Sequence, residues 1–389
     1  MANTPFHDPL IVTLEGKYLG LSTDLRVPGV QARLSEDLLD WGEPFALLGK
    51  APLSVTRPTG VDRFWAPELI RRGEEWRLYV CASRFGTTQS VIGLATARDP
   101  LGPYTYQGDV VRTVHAPRFT QANAIDPCVC ADRDGTDYLI YGSFFGGIHI
   151  LPLTQEGFPA EYHEGKCIAG GGHQAVEGAY CFYHAAADQF VLFTSWGSLR
   201  SDYHIRVGYS KNITGPYLDA QGFPLTDQDP VHTPGDKIVG GYHFGLPGLP
   251  DTMAPGHNSL MRLGDDLYMV HHARPEGDER RPFLQIRRLF FDEAGHVLAW
   301  PLTYTGEPIL PADTRPGKWR LVYLSRENHG VVYGVSMTAA ETQAETDGDH
   351  IAMRAFCKPW QGVTFRQGGR VACTLRSPDG EALWGVAES

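Results

Sequence analysis

The sequence predicts an all-β protein: a five-bladed β-propeller followed by a small β domain, a sandwich or a barrel. Three observations carry this. Glycine and proline are in excess, one strand-turn-strand plan occurs five times, and that plan is lost beyond about residue 315.

The 389 residues include 44 Gly and 28 Pro, close to a fifth of the chain, where average usage is ~12%. With 42% hydrophobic and 20% charged residues, the excess does not mark disorder. It excludes a helical protein, because each Gly or Pro inside a helix costs about 1–3 kcal/mol. Short strands joined by tight turns accommodate it.

Each of the five copies opens on a polar or small residue. A short apolar strand, a turn rich in Gly or Asp and a second strand rich in Tyr, Leu and Val follow, ending near a Ser in most copies. They start at Asp8-Pro9, Ala66-Pro67, Asp126-Pro127, Glu177-Gly178 and His257-Asn258, with intervals of 58, 60, 51 and 80 residues. Each interval holds four short strands, the content of a propeller blade. A β-sandwich with coincidental hairpins is the alternative. Residues 1–314 are assigned to the propeller. Residues 315–389, with the runs WRLVYL, VVYGVSM, IAMRAF, RVACTL and EALWGV, are assigned to an ancillary domain. Its tryptophans Trp319, Trp360 and Trp384 read first as core. The Gly/Pro-rich segment 232–256 reads as an insertion before His257 that shapes one end of a cleft.

The formal charge of −11 and the lack of a basic run exclude a nucleic-acid partner. Seven cysteines without a CxxC pair read as reduced thiols rather than a disulfide framework or a zinc site. No apolar run approaches the ~18 residues of a membrane span. The N-terminal MANTPFHDPL has no signal-peptide pattern, which predicts a cytoplasmic protein unless a leader has been removed.

In a propeller the innermost strand of each blade lines the central channel. Asp8, Asp126, Glu177 and His257 then meet at one mouth, from four blades. Separately, each has a plain reading as a turn initiator, loop residue or core histidine. Together they form a set whose burial for stability alone would be costly. Carboxylates with separated pKa values are what acid/base chemistry at a sugar bond requires. Position in the repeat does not say which residue plays which part.

The runs HDP (7–9), FWAPE (64–68), SRFGTTQSVIGLAT (83–96), NAIDP (123–127), YGSFFGGI (141–148), VEGAY (176–180), YHIRVGYSKNITGPY (203–217) and PGHNS (255–259) occur in this order. On these the chain resembles family 43 glycoside hydrolases, most closely the members that cleave α-1,5-L-arabinan, over about residues 5–307. The resemblance implies a five-bladed propeller and inverting hydrolysis, with Asp8 as general base, Glu177 as general acid and Asp126 as the carboxylate that orients and tunes the acid. It implies a hydrated Ca²⁺ or Na⁺ beside His257 and no organic cofactor. It also implies sugar contacts from Trp65, Phe85, Asn123, Ser143 and Arg206, with Arg287 as a further candidate. The partner is a neutral oligo- or polysaccharide. Two departures are Gly178-Ala179, where many members have a proline, and Glu68, where arabinanases often have Asp. An exo-acting arabinofuranosidase or β-xylosidase and a non-catalytic sugar-binding propeller are the alternative functions.

Overall fold

The computed structural model describes residues 4–23, 26–113, 122–161, 164–312 and 314–388. Five antiparallel sheets, built from the chain in sequence order, form the blades. Blade 1 holds Leu10–Leu14, Lys17–Ser22, Val30–Ser35 and Phe45–Leu48. Blade 2 holds Glu68–Arg72, Glu75–Ser83, Ser90–Ala97 and Thr105–Thr113, and blade 3 Cys128–Ala131, Asp137–Tyr141, Ile148–Pro152 and Lys166–Ala169. Blade 4 holds Val176–His184, Gln189–Trp196, His204–Ser210 and Asp236–Val239, and blade 5 Thr252–Leu263, Asp266–Pro275, Phe283–Phe291 and Val297–Ala299. The first two strands of each blade are the hairpin of one sequence repeat.

A propeller buries both faces of every blade against its neighbours, so its core is divided among the seams. Leu19 and Val30 meet Leu78 and Val91 between blades 1 and 2. Tyr79 and Ile92 meet Leu139 and Tyr141 between blades 2 and 3. Ile140 and Ile148 meet Phe190 and Leu192 between blades 3 and 4, and Phe193 and Val207 meet Met269 and Leu289 between blades 4 and 5. Ile11 and Leu38 meet Met261, Val270 and Ile286 at the closing seam. Among the described residues no blade takes a full strand from each end of the chain, so side-chain packing closes the ring, helped by a bridge between Pro5 and Phe283 of blade 5. One backbone hydrogen bond from Leu284 to Thr4 supports it.

The C-terminal region is one curled sheet, nearer the barrel than the sandwich. Its strand order is Val335–Thr338, Lys318–Leu324, Ala382–Ala387, Arg370–Arg376, Lys358–Gln367, His350–Ala355 and Glu345–Asp347. Trp319 and Trp360 fill its interior, while Trp384 faces the propeller and packs edge-on against Tyr242 at 5.4 Å. All three are core residues, at most 1% exposed. The two regions interlock on either side of the predicted boundary. Leu310–Pro311 pairs with Lys358–Gln367, and Val332–Tyr333 pairs with Tyr242–His243 at the edge of blade 5.

Segment 232–256 differs from the expected insertion. Asp236–Val239 is the outermost strand of blade 4, and Tyr242–His243 carries the pairing with the C-terminal region. The 80-residue interval is therefore a blade with a long approach to its last strand plus a docking edge for the second domain.

Candidate active site

The residues that open the repeats do gather at one mouth. Asp8, Asp126 and His257 adopt left-handed backbone, with φ of 54°, 57° and 49°, a conformation that costs a non-glycine residue about 1–2 kcal/mol. Such strain persists where the surroundings over-determine the position, and it gathers at functional sites. In blade 4 the left-handed residue is Gly178, at φ 57°. A Cβ there would lie 3.0 Å from the His257 ring, and its N–H donates to Asp126 Oδ2 at 3.1 Å. Gly178 thus places the backbone of blade 4 directly on Asp126 and His257.

Asp8 is held between two imidazoles. His257 Nδ1 lies 3.0 Å from Oδ1 and His7 Nδ1 2.9 Å from Oδ2, and Thr23 donates its hydroxyl to Oδ2 at 2.5 Å. The Asp8 N–H donates to His272 Nδ1 at 3.1 Å, which makes that nitrogen the acceptor of a neutral ring. Burial alone would raise the Asp8 carboxyl, but His257 and His7 outweigh it and hold it well below the usual range. Asp8 is a carboxylate at neutral pH.

The other two carboxyls move the opposite way. Burial raises Glu177, against the hydrogen bond that Ser143 Oγ donates to its Oε2 at 2.7 Å. Burial, opposed by His257 and helped by the negative charges of Glu177 and Asp8, raises Asp126 to about 7. Burial would lower His257, but Asp8 and Asp126 raise it to about 9. The mouth therefore offers one ionised carboxylate, a buried pair of carboxyls that retains a proton near neutrality, and an imidazolium. An ionised base beside a protonated acid is the combination that acid/base cleavage of a glycosidic bond uses.

The remaining expected site residues divide. Ser143 is on Glu177, as described. Trp65 precedes the opening residue of blade 2 and stands 6.5 Å, ring to ring, from Phe85. Phe85 is 84% exposed and is an aromatic platform on the rim. Asn123 is buried and accepts from Ser90 Oγ at 2.6 Å, so it braces the turn that leads to Asp126.

Arg206 lies elsewhere. It is 0% exposed, and its guanidinium donates to the carbonyls of Thr233, Gly235 and Arg326, while its Nε–H donates to His204 Nε2 at 2.9 Å. A fully buried guanidinium bound to main-chain carbonyls has no face for a sugar. Arg206 joins blade 4 to the second domain beside Arg326, which bridges Asp219 and Asp236. Arg287 is likewise fully buried, bonded to His271, Tyr242, Gln285 and the carbonyls of Trp300 and Pro301.

Beside His257, a cation would find only one ring nitrogen, because Nδ1 is bonded to Asp8. Nε2, on a ring with three carboxyls around it, suits a mostly hydrated hard cation. The protonation of His257 would compete with it. Among the described residues, the group at this mouth whose ligand atoms converge within 4.8 Å is His7, Asp8 and His272, and it does not include His257.

Sequence reasoning passed over Thr23, Ser195, Tyr203 and His272. Ser195 accepts the His257 N–H at 2.7 Å, as Ser143 of the preceding blade donates to Glu177. The serine that closes a repeat touches the residue that opens the next one, so the repeat contained the signal for Ser195.

A five-bladed propeller with clustered carboxyls at one mouth is the architecture of a class of glycoside hydrolases. The description "Glycosyl hydrolases family 43" matches residues 2–293, and the chain belongs to that family and is a glycoside hydrolase. It is 31% identical over 367 residues to the extracellular endo-α-(1→5)-L-arabinanase of Thermotoga petrophila, covering 83% of this chain and 76% of that protein. The crystal structure of an endo-1,5-α-L-arabinanase from Thermotoga petrophila superposes with a TM-score of 0.87 at 27% identity, over 99% of this chain and 98% of that one. The Cellvibrio cellulosa α-L-arabinanase complexed with arabinohexaose matches at 26% identity and a TM-score of 0.66, over 76% of this chain and 96% of that one.

Proposed function

We propose that this protein hydrolyses α-1,5-linked L-arabinofuranosyl chains with inversion. The observation that supports the reading most is the split among the buried carboxyls: Asp8 held ionised by two imidazoles, and Asp126 with Glu177 holding a proton. Glu177 protonates the glycosidic oxygen as the C1–O bond breaks, and Asp8 takes a proton from the water that attacks C1 on the opposite face. Asp126 keeps Glu177 protonated through its charge and holds blade 4 in place through Gly178 N–H. Phe85 and Trp65 stack on the C–H faces of arabinose units, and Ser143 orients the acid. A hydrated cation bound by His257 Nε2 would supply positive charge at the channel centre; the chemistry above belongs to the three carboxyls.

The arabinan-cleaving relatives support this substrate, and among them the name of the Thermotoga enzyme specifies endo action. Product analysis over time on linear α-1,5-arabinan tests it. Release of mixed oligosaccharides before arabinose supports endo cleavage. Release of one small product from the outset supports the exo-acting alternative, and an untouched polymer contradicts both. No helix among the described residues is long and apolar enough to cross a membrane.

A further inference from the structure

Tyr203 is wholly buried beside the proposed acid, and the reaction as written above does not use it. It stands just before the strand His204–Ser210, two positions before Ile205, which faces Ser195. Ser195 in turn faces Glu177 across the inner hairpin of blade 4. Tyr203 therefore lies on the Glu177 side of that blade. Its ring stacks on His272 at 5.8 Å, which stacks on His7 at 4.6 Å, giving a column of three nearly parallel rings. Gly256, paired with His272, leaves the space for the Tyr203 ring. A Cβ at 256 would lie 2.1 Å from two of its ring atoms.

The column would stack equally well with phenylalanine. The hydroxyl is the unexplained group, for it is sealed from solvent and has no hydrogen-bond partner among the described residues. A buried hydroxyl left unpaired is destabilising, and such groups are rare without a reason. It stands close enough to Glu177 to favour that side chain's ionised form, yet the resting geometry falls short of a hydrogen bond. Asp8, Asp126 and His257 also act on Glu177 or Tyr203, and Arg274 faces both. Ser143 already donates to Glu177 Oε2.

We propose that Tyr203 is a positioning residue whose hydroxyl completes its hydrogen bond to Glu177 as that side chain gives up its proton. When the C1–O bond breaks, the Glu177 proton moves to the departing oxygen and leaves a carboxylate. Tyr203 keeps its own proton and donates a hydrogen bond to that carboxylate. The attacking water loses its proton to Asp8, and both carboxyls then re-equilibrate with solvent. The bond is stronger at the transition state than before it, so it lowers the barrier without tightening substrate binding.

This rests on Glu177 being the acid, and one experiment separates the two claims. Wild type, Tyr203→Phe and Glu177→Ala are compared on linear arabinan and on a 2,4-dinitrophenyl arabino-oligoside, whose leaving group departs without a proton. For Tyr203→Phe, kcat on arabinan should fall about ten- to hundredfold, with KM within about twofold and a melting temperature that holds or rises. Its rate on the dinitrophenyl substrate should stay within about twofold of wild type. Equal losses on both substrates, or no loss on arabinan, would overturn the role of Tyr203. Normal arabinan cleavage by Glu177→Ala would instead overturn the acid assignment itself.

Discussion

The propeller mouth and the interface between blade 4 and the C-terminal domain both bury charge, with opposite outcomes. At the interface, Arg326 bonds Asp219 at 2.6 Å and Asp236 at 3.0 Å, and Arg376 bonds Asp236 at 2.9 Å. Arg206 finds carbonyls for its donors. Each carboxylate there meets a guanidinium, which limits the cost of burying the network, although burial and Arg326 still push Arg206 down to about 9 and Arg326 Nε has no partner among the described residues. At the mouth, three carboxyls share one imidazole as their main cationic neighbour, three of the four opening residues sit in left-handed backbone, and one phenol lacks a partner. Opposite charges paired across the seam fix the two regions together, while like charges gathered at the mouth set carboxyls apart in pKa and retain the capacity to move protons. In this molecule, balance distinguishes a brace from a site better than burial does.

Substitutions at the two places should therefore separate activity from stability. Glu177→Ala should lower kcat on arabinan by about two to four orders of magnitude while its melting temperature holds or rises, because a buried acidic group is removed. Arg326→Ala should do the reverse. It strands Asp219 and part of Asp236, costing about 3–5 kcal/mol in denaturant unfolding, with kcat near normal in the fraction that remains folded. Loss of activity in a stable Arg326→Ala protein would break the distinction.

The pH dependence sharpens it further. Activity requires Asp8 ionised and a proton on the pair formed by Asp126 and Glu177. Asp8 is depressed, so it limits only the acid side; Asp126 is raised to about 7, so activity should decline as pH rises through that region. Asp126→Asn removes the negative charge that helps Glu177 keep its proton. Its residual kcat should show an alkaline limb displaced to lower pH. A limb displaced upward would contradict the role given to Asp126. The smallest effect is expected at Phe85, where Ala should raise KM for arabinan a few-fold and leave kcat nearly unchanged. At 84% exposed, this ring has no packing role to confuse the result.

The sequence disclosed what repetition encodes and hid what packing creates. Five inner hairpins were legible because strand, turn and strand recur in order. Asp8, Asp126, Glu177 and His257 were legible because they open four of the copies. Arg206 was misjudged because a motif run does not show which way a side chain points. Its partners Thr233, Gly235 and Arg326 lie 27 to 120 residues away. His272 and Tyr203 acquire their roles only when blade 5 closes on blades 1 and 4, so no local pattern marks them. The strand Val332–Tyr333 was legible in the run VVYGVSM, but its docking was hidden for the same reason, since its partner Tyr242–His243 lay in what read as a loop.

The central claim is that Glu177 and Asp8 act from opposite faces of one sugar bond. The most direct test is proton NMR of the anomer formed first when linear α-1,5-arabinan is hydrolysed, recorded before mutarotation. Inversion predicts that new reducing ends appear initially as the β-anomer and then drift toward equilibrium. Initial appearance of the α-anomer would contradict the account, because retention requires a nucleophilic carboxylate where Asp8 is assigned to activate water.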